Sequence, residues 1–216
     1  MGNKLESSFK NMVLVLFVVT LIVSAAVGYV YTLTAGPIDD VKKNKKIDAI
    51  KTVIPGKFDN DPSADSWKVA AGENNEAYAY LYTAKEPDSL EVYPAKLNGE
   101  LVGTAVRSFS NNGFGGQVWV MVGFTPDGKV HNYSVLEHKE TPGLGTEMVH
   151  WFLKGGKGDI TGKNPGEKPL SVTKDGGDID AITAATISSR AFLDAVNRAA
   201  GAISGSADAY SGATSH

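Results

Sequence analysis

Residues 11–38 carry no charged side chain, and Met12 to Leu33 is an almost unbroken run of Val, Leu, Ile, Phe and Ala. About 20 such residues, rising ~1.5 Å each as a helix, match the ~30 Å hydrocarbon thickness of a bilayer. The apolar part of a cleaved signal peptide runs to only about 7–15 residues. The stretch therefore predicts an uncleaved membrane helix over 12–33 behind a short tail, 1–11. Tyr29 and Tyr31 fall where an interfacial aromatic belt would lie. Lys4 and Lys10 on one side are matched by Lys42, Lys43, Lys45 and Lys46 on the other, so the positive-inside rule does not orient the segment. The short tail ahead of it is the arrangement of a signal anchor, which places the rest of the chain outside the cytoplasm.

Beyond the anchor the chain has room for one globular domain, and the 216 residues with net charge −3 argue against a nucleic-acid binder. Without cysteine there are no disulfides, Fe–S ligands or thiol chemistry. Only four histidines occur, none paired at metal-ligand spacing. Val41, Ile47, Ile50 and Ile54 among lysines predict an amphipathic juxtamembrane helix ending at Pro55-Gly56, within a linker spanning 34–57. Asp, Asn, Pro and Ser mark residues 58–66 as a loop. The domain is expected over 58–203, with a Gly/Ser/Ala-rich flexible tail at 204–216.

Alternating apolar residues predict strands at Ala77–Thr83 and Leu90–Leu97, then a tight Asn98-Gly99 turn into Leu101–Phe109. A glycine cluster, 112–116, has no helix after it and reads as a bend that lets backbone and ligand approach. Two further strands flank the turn Pro126-Asp127-Gly128. A short helix is expected over Met148–Leu153. Residues 154–177, rich in Gly, Lys, Pro and Asp, read as an exposed loop carrying Leu170-Ser-Val as a short strand. The class is α+β, an antiparallel sheet with packed helices.

Two segments remain. In the first, Asp180-Ala-Ile-Thr-Ala-Ala-Thr186-Ile-Ser-Ser-Arg190, a small-residue loop runs into a helix whose Phe192, Leu193, Val196 and Ala199 or Ala200 form an apolar face, with Gly201 as the expected stop. Thr186 or Ser188 then lies at a helix N-terminus, where unpaired N–H groups suit a phosphate. Ala184 and Ala185 leave space for a large ligand. On local pattern alone an N-cap is the ordinary explanation. In the second, Glu137-His138-Lys139-Glu140-Thr141-Pro142-Gly143-Leu144-Gly145 reads as a strand end and a Pro-Gly turn, with His138 an ordinary polar residue.

Together these segments resemble the FMN-binding domain family. The first is similar to its flavinylation motif, Asp-x-x-(Ser/Thr)-(Gly/Ala)-Ala-Thr, whose last threonine a flavin transferase esterifies with FMN. The second is similar to the His-x-Glu-Thr-Pro-Gly-Leu-Gly loop of the G-subunit family of Rnf-type ion-translocating ferredoxin:NAD oxidoreductases. The resemblance implies covalent FMN on Thr186, with Thr183, Ala184, Ala185, Ile187 and Ser188 around it and Asp180 read by the transferase. It implies Glu140, Thr141, Gly143, Leu144 and Gly145 as further flavin contacts. Ala184 stands where glycine is commoner, and glycine would more readily supply an unusual backbone angle there.

The resemblance further implies an electron-carrying subunit with no complete active site of its own. Its partners would be the other membrane and Fe–S subunits, the transferase and the lipid bilayer, with Na⁺ or H⁺ translocation coupled to electron flow. Two alternatives stay open: the corresponding covalent-FMN subunit of a Na⁺-translocating NADH:quinone oxidoreductase, and a membrane-anchored interaction module without a cofactor. Asp208-Ala-Tyr-Ser211-Gly212-Ala213-Thr214 repeats the motif, which makes Thr214 a second candidate for flavinylation or a chance match in a low-complexity tail.

Overall fold

The computed structural model describes residues 9–70 and 89–204, and the chain divides into a unit ending at Lys45 and a compact unit beginning at Lys46. The strand expected over Ala77–Thr83 and the tail carrying Thr214 lie outside the described residues. Helix α1, Phe9–Val53, is long and apolar enough to cross a bilayer by length and composition. Its apolar side chains from Phe9 to Leu33 are exposed in the N-terminal unit. The sequence predicts two helices here, 12–33 and a separate one from Val41, whereas one helix runs through Pro37. Proline removes one N–H donor. Residues 38–53 contain no other helix breaker.

Among the described residues of the compact unit, five strands form one antiparallel sheet in chain order: β1 Trp67–Ala70, β2 Ser89–Leu97, β3 Glu100–Gly113, β4 Gly116–Phe124 and β5 Val130–Glu137. Asn98 and Gly99 take φ of 52° and 85°, the left-handed pair that the tight turn between β2 and β3 requires. Gly113 pairs with Gly116, so the glycine cluster is the tip of a hairpin that exposes Phe114.

Helix α3, Thr186–Ser204, packs on the sheet face that carries the row Val92, Val106, Val122 and Tyr133. Phe192 meets the Tyr133 ring edge-on at 4.7 Å and stacks on Phe152 at 4.4 Å. The end of α1 covers the opposite face. A Cβ on Gly123 would stand 1.9 Å from the Val53 carbonyl oxygen, and one on Gly103 would be 2.7 Å from Pro55. With both faces covered, Val118–Phe124 is buried without alternation.

The structure corrects two further expectations drawn from the sequence. Gly201 does not stop α3, which continues to Ser204 with Ala202 buried. Burial of the helix extends well beyond its apolar face, since every residue from Ala191 to Ala200 is buried. Its polar side chains find partners inside. Asp194 accepts from Ser110 at 2.6 Å and pairs with Arg198, and Asn197 exchanges two hydrogen bonds with the Leu170 backbone. Finally, 154–177 is not simply an exposed loop. Ile160, Leu170 and Val172 are buried, and Val172 bridges Ile179, so this segment joins the core.

Candidate functional site

The site is assembled at the start of α3 from three loops. Ile182, Ala185 and Ser189 fix the first. Ile182 is buried, its N–H donates to Ser189 Oγ at 2.9 Å, and that hydroxyl donates to the Ala185 carbonyl. Ala185 N–H in turn donates to the Ile182 carbonyl at 3.0 Å. Trp151 Nε1–H, on the short helix α2 (Met148–Trp151), holds the Asp180 carbonyl at 2.8 Å. In the turn between these anchors Ala184 takes φ 60°, a left-handed angle that costs an L-residue about 1–2 kcal/mol. Thr186 emerges as the first residue of α3, partly exposed.

Lys174 approaches Thr186 from the short turn Thr173–Asp175, and its ammonium donates to Thr186 Oγ1 at 3.3 Å. The turn is tied to α3 by Arg190, which grips Asp175 through two hydrogen bonds of 2.7 and 2.6 Å.

The second loop, 138–147, folds around Glu140. This side chain is 6% exposed, and its carboxylate accepts the Ser188 hydroxyl on one oxygen and the Gly115 N–H, at 3.0 Å, on the other. Glu140 N–H donates to His138 Nδ1, giving that histidine a structural role. Gly143, at φ 73°, donates to Thr146 Oγ1 at 2.9 Å, while the Thr141 carbonyl accepts from Leu144 and Thr146. The third loop is the hairpin tip with Phe114.

Two clefts meet at Thr186. One, of about 330 Å³, has apolar walls from Phe114, Leu144 and Ile187 and is floored by Glu140, Gly145, Ala185 and Ser188. The other, of about 360 Å³, holds Trp151, Lys157, Lys174 and Asp180. Ala184 and Thr186 belong to both, so the threonine stands on the ridge between an apolar and a polar cavity.

Of the residues predicted from sequence, Glu140, Thr141, Leu144, Gly145, Ala184, Ala185, Thr186, Ile187 and Ser188 come together in the apolar cleft. Asp180 and Thr183 line the polar one, and Gly143 lines neither. Phe114, Lys174 and the Asp175–Arg190 clamp were not read from the sequence. An exposed aromatic inside a glycine cluster is a usable signal for the first; Lys174 has none, because its position depends on a contact between separate segments.

Residues 113–201, which include all three loops, match the FMN-binding domain family. The chain is 33% identical over 190 residues to the G subunit of the Na(+)-translocating ferredoxin:NAD(+) oxidoreductase complex of Acetobacterium woodii, covering 85% of this chain and 86% of that one. It is 32% identical over 206 residues to the G subunit of the ion-translocating oxidoreductase complex of Aliivibrio fischeri strain ES114, 89% of each. The chain belongs to the G-subunit family of ion-translocating oxidoreductase complexes. The Vibrio cholerae member (strain M66-2) is similar too, at 30% over 190 residues. Each of these two 190-residue matches covers 86% of the relative's own length.

Proposed function

We propose that this G-family protein is a membrane-anchored electron carrier that holds FMN by a phosphoester to Thr186. The observation that carries this is the position of the Thr186 hydroxyl on the ridge between an apolar cleft and a lysine-bearing one. At about 330 Å³ the apolar cleft is in the range of small-molecule sites, roughly 300–1,000 Å³. Its Phe114, Leu144 and Ile187 walls fit a planar ring system, and the first turn of α3 presents N–H groups toward a phosphate. Bound FMN supplies one- and two-electron redox chemistry, while the protein supplies position and surroundings. Glu140, Thr141, Gly145, Ala185 and Ser188 form the floor against which the ring would lie, and Asp180 and Thr183 stand on the exposed side where a transferase has access.

The relatives' names support a place in an ion-translocating oxidoreductase complex, in one of them between ferredoxin and NAD(+) with Na(+) as the ion, and the length and apolar composition of α1 support its role as the anchor. In this reading the coupled ion is Na⁺ or H⁺ and the domain lies outside the cytoplasm. A covalent bond suits that side of the membrane, since a lost cofactor could not readily be replaced there. Thr186→Val should abolish in-gel flavin fluorescence after denaturation, and Thr186→Ser should retain part of it because a hydroxyl remains. Undiminished fluorescence in Thr186→Val would mean that another residue carries the flavin. Intact-mass spectrometry of Thr214→Val decides whether the tail motif is a second attachment point: one adduct lost there from two would establish it. Protease added to spheroplasts should digest the domain, and full protection would reverse the topology.

A further inference from the structure

We propose that Lys174 is the positioning residue for the flavin's phosphate, fixed in place by the Asp175–Arg190 clamp, so that the polar cleft seats the phosphodiester and leaves the apolar cleft to the ring. This rests on the reading of Thr186 as the attachment point.

The Lys174 ammonium already lies 3.3 Å from Thr186 Oγ1, the atom that would become the ester oxygen. A phosphodiester carries one negative charge, and its non-bridging oxygens sit one bond beyond the phosphorus attached to Oγ1, within reach of an ammonium on a flexible stem. A lysine suits that task as a mobile point charge with three donors. A neutral hydroxyl uses such a cation poorly, so the present contact is weaker than the one esterification would create.

The neighbours direct the charge. Arg190, one turn along α3 from Thr186, engages Asp175 with both a 2.7 and a 2.6 Å bond, pinning the turn that carries Lys174 against the helix. It also offsets the carboxylate adjacent to Lys174. Lys157, also in the polar cleft, stands 5.4 Å over the Trp151 ring. Asp180 lines the same cleft and repels a phosphate, which favours the Lys174 side. Across the ridge, the one charged side chain among the residues lining the apolar cleft is Glu140, whose buried carboxylate is a like charge to the phosphate.

The test is a thermodynamic cycle on the full chain in detergent, comparing protein expressed with and without the flavin transferase. In-gel fluorescence establishes loading, and calorimetry gives Tm. Lys174→Gln should lower the Tm of loaded protein by about 2 °C, the shift that an exposed charge contact of moderate strength gives in a chain of this size, and leave unloaded protein nearly unchanged. Lys174→Arg should restore the loss, and high ionic strength should shrink it. Equal falls in loaded and unloaded protein, or no fall in either, overturn the proposal. So does Lys174→Gln protein that takes up no flavin, which would assign the lysine to attachment instead. A parent chain without in-gel fluorescence overturns the covalent reading and this inference with it, a result distinguishable from the others.

Discussion

Ser188, in the first turn of α3, donates its hydroxyl to the buried carboxylate of Glu140, which takes the Gly115 N–H on its other oxygen. One side chain thus joins helix, loop and hairpin tip beneath the apolar cleft. Glu140→Ala would strand the buried Ser188 hydroxyl, at about 1–3 kcal/mol for the unsatisfied group, and would release the Gly115 N–H at the exposed hairpin tip. Glu140→Gln keeps an acceptor for Gly115 and a partner for Ser188, and should cost only about 1 kcal/mol. Denaturant unfolding of the two variants should give that order; equal losses would show that shape rather than hydrogen bonding sets the cost.

Gly145 and Gly143 separate space from backbone strain. A Cβ on Gly145 would stand 2.5 Å from both Glu140 Oε2 and Ser188 Oγ, whereas one on Gly143 would meet nothing within 4 Å although φ is 73°. Gly143→Ala should therefore cost about 1–2 kcal/mol of backbone energy and leave the cleft intact. Gly145→Ala must displace the Glu140–Ser188 pair and should lower both stability and the yield of flavin-loaded protein.

Ala184 tests the motif's own backbone. Glycine at φ 60° relieves about 1–2 kcal/mol of left-handed strain but returns about 0.4–1 kcal/mol of chain entropy to the unfolded state. Ala184→Gly should raise stability slightly, by about 0.5 kcal/mol. Ala184→Val should lower it, since a branched Cβ is worse tolerated there. A fall in Tm with glycine would mean that the Ala184 methyl makes a contact worth more than its strain.

Local signals made the hairpins legible: Asn98-Gly99 and Pro126-Asp127-Gly128 specify turns by backbone chemistry that neighbours do not alter. The start of α3 was legible because Thr186 follows small residues and precedes a periodic face. Gly201 misled because a glycine ends a helix only where packing allows it, and Ala202 is drawn into the core. The burial of Asp194, Asn197 and Arg198 has no local signal, because only the fold places Ser110 and Leu170 beside them. Lys174 lies 12 residues from Thr186 in a segment that reads as loop, and it meets the site beside the Arg190–Asp175 pair that ties its turn to α3.

Glu91 predicts an acid limb in stability. Burial alone would raise its carboxyl, but hydrogen bonds from Lys46 and Tyr93, with the charges of Lys46 and Arg107, outweigh that and hold it below its ordinary value of 4.5. The folded state therefore binds this proton less readily than the unfolded chain. The contribution is present in full above pH 4.5 and is lost as pH falls below it toward the depressed folded value. Glu91→Gln should reduce stability near neutral pH and flatten the decline in acid, as measured by denaturant midpoints across a pH series. An unchanged slope would assign the acid limb to other carboxylates.

Phe114 offers the cleanest separation of cofactor contact from folding. It is 70% exposed at the hairpin tip, so Phe114→Ala removes little buried area and should change stability by no more than about 0.5 kcal/mol. The same ring forms one wall of the apolar cleft, together with Ile187 and Leu144. If the flavin ring lies there, deletion of that wall frees it to move about its threonyl tether. Loaded Phe114→Ala protein should then show lower flavin fluorescence anisotropy with an undiminished covalent flavin content and Tm. Anisotropy equal to the parent's would place the ring elsewhere, and the polar cleft beside Trp151 is where a Trp151→Ala variant should look for it.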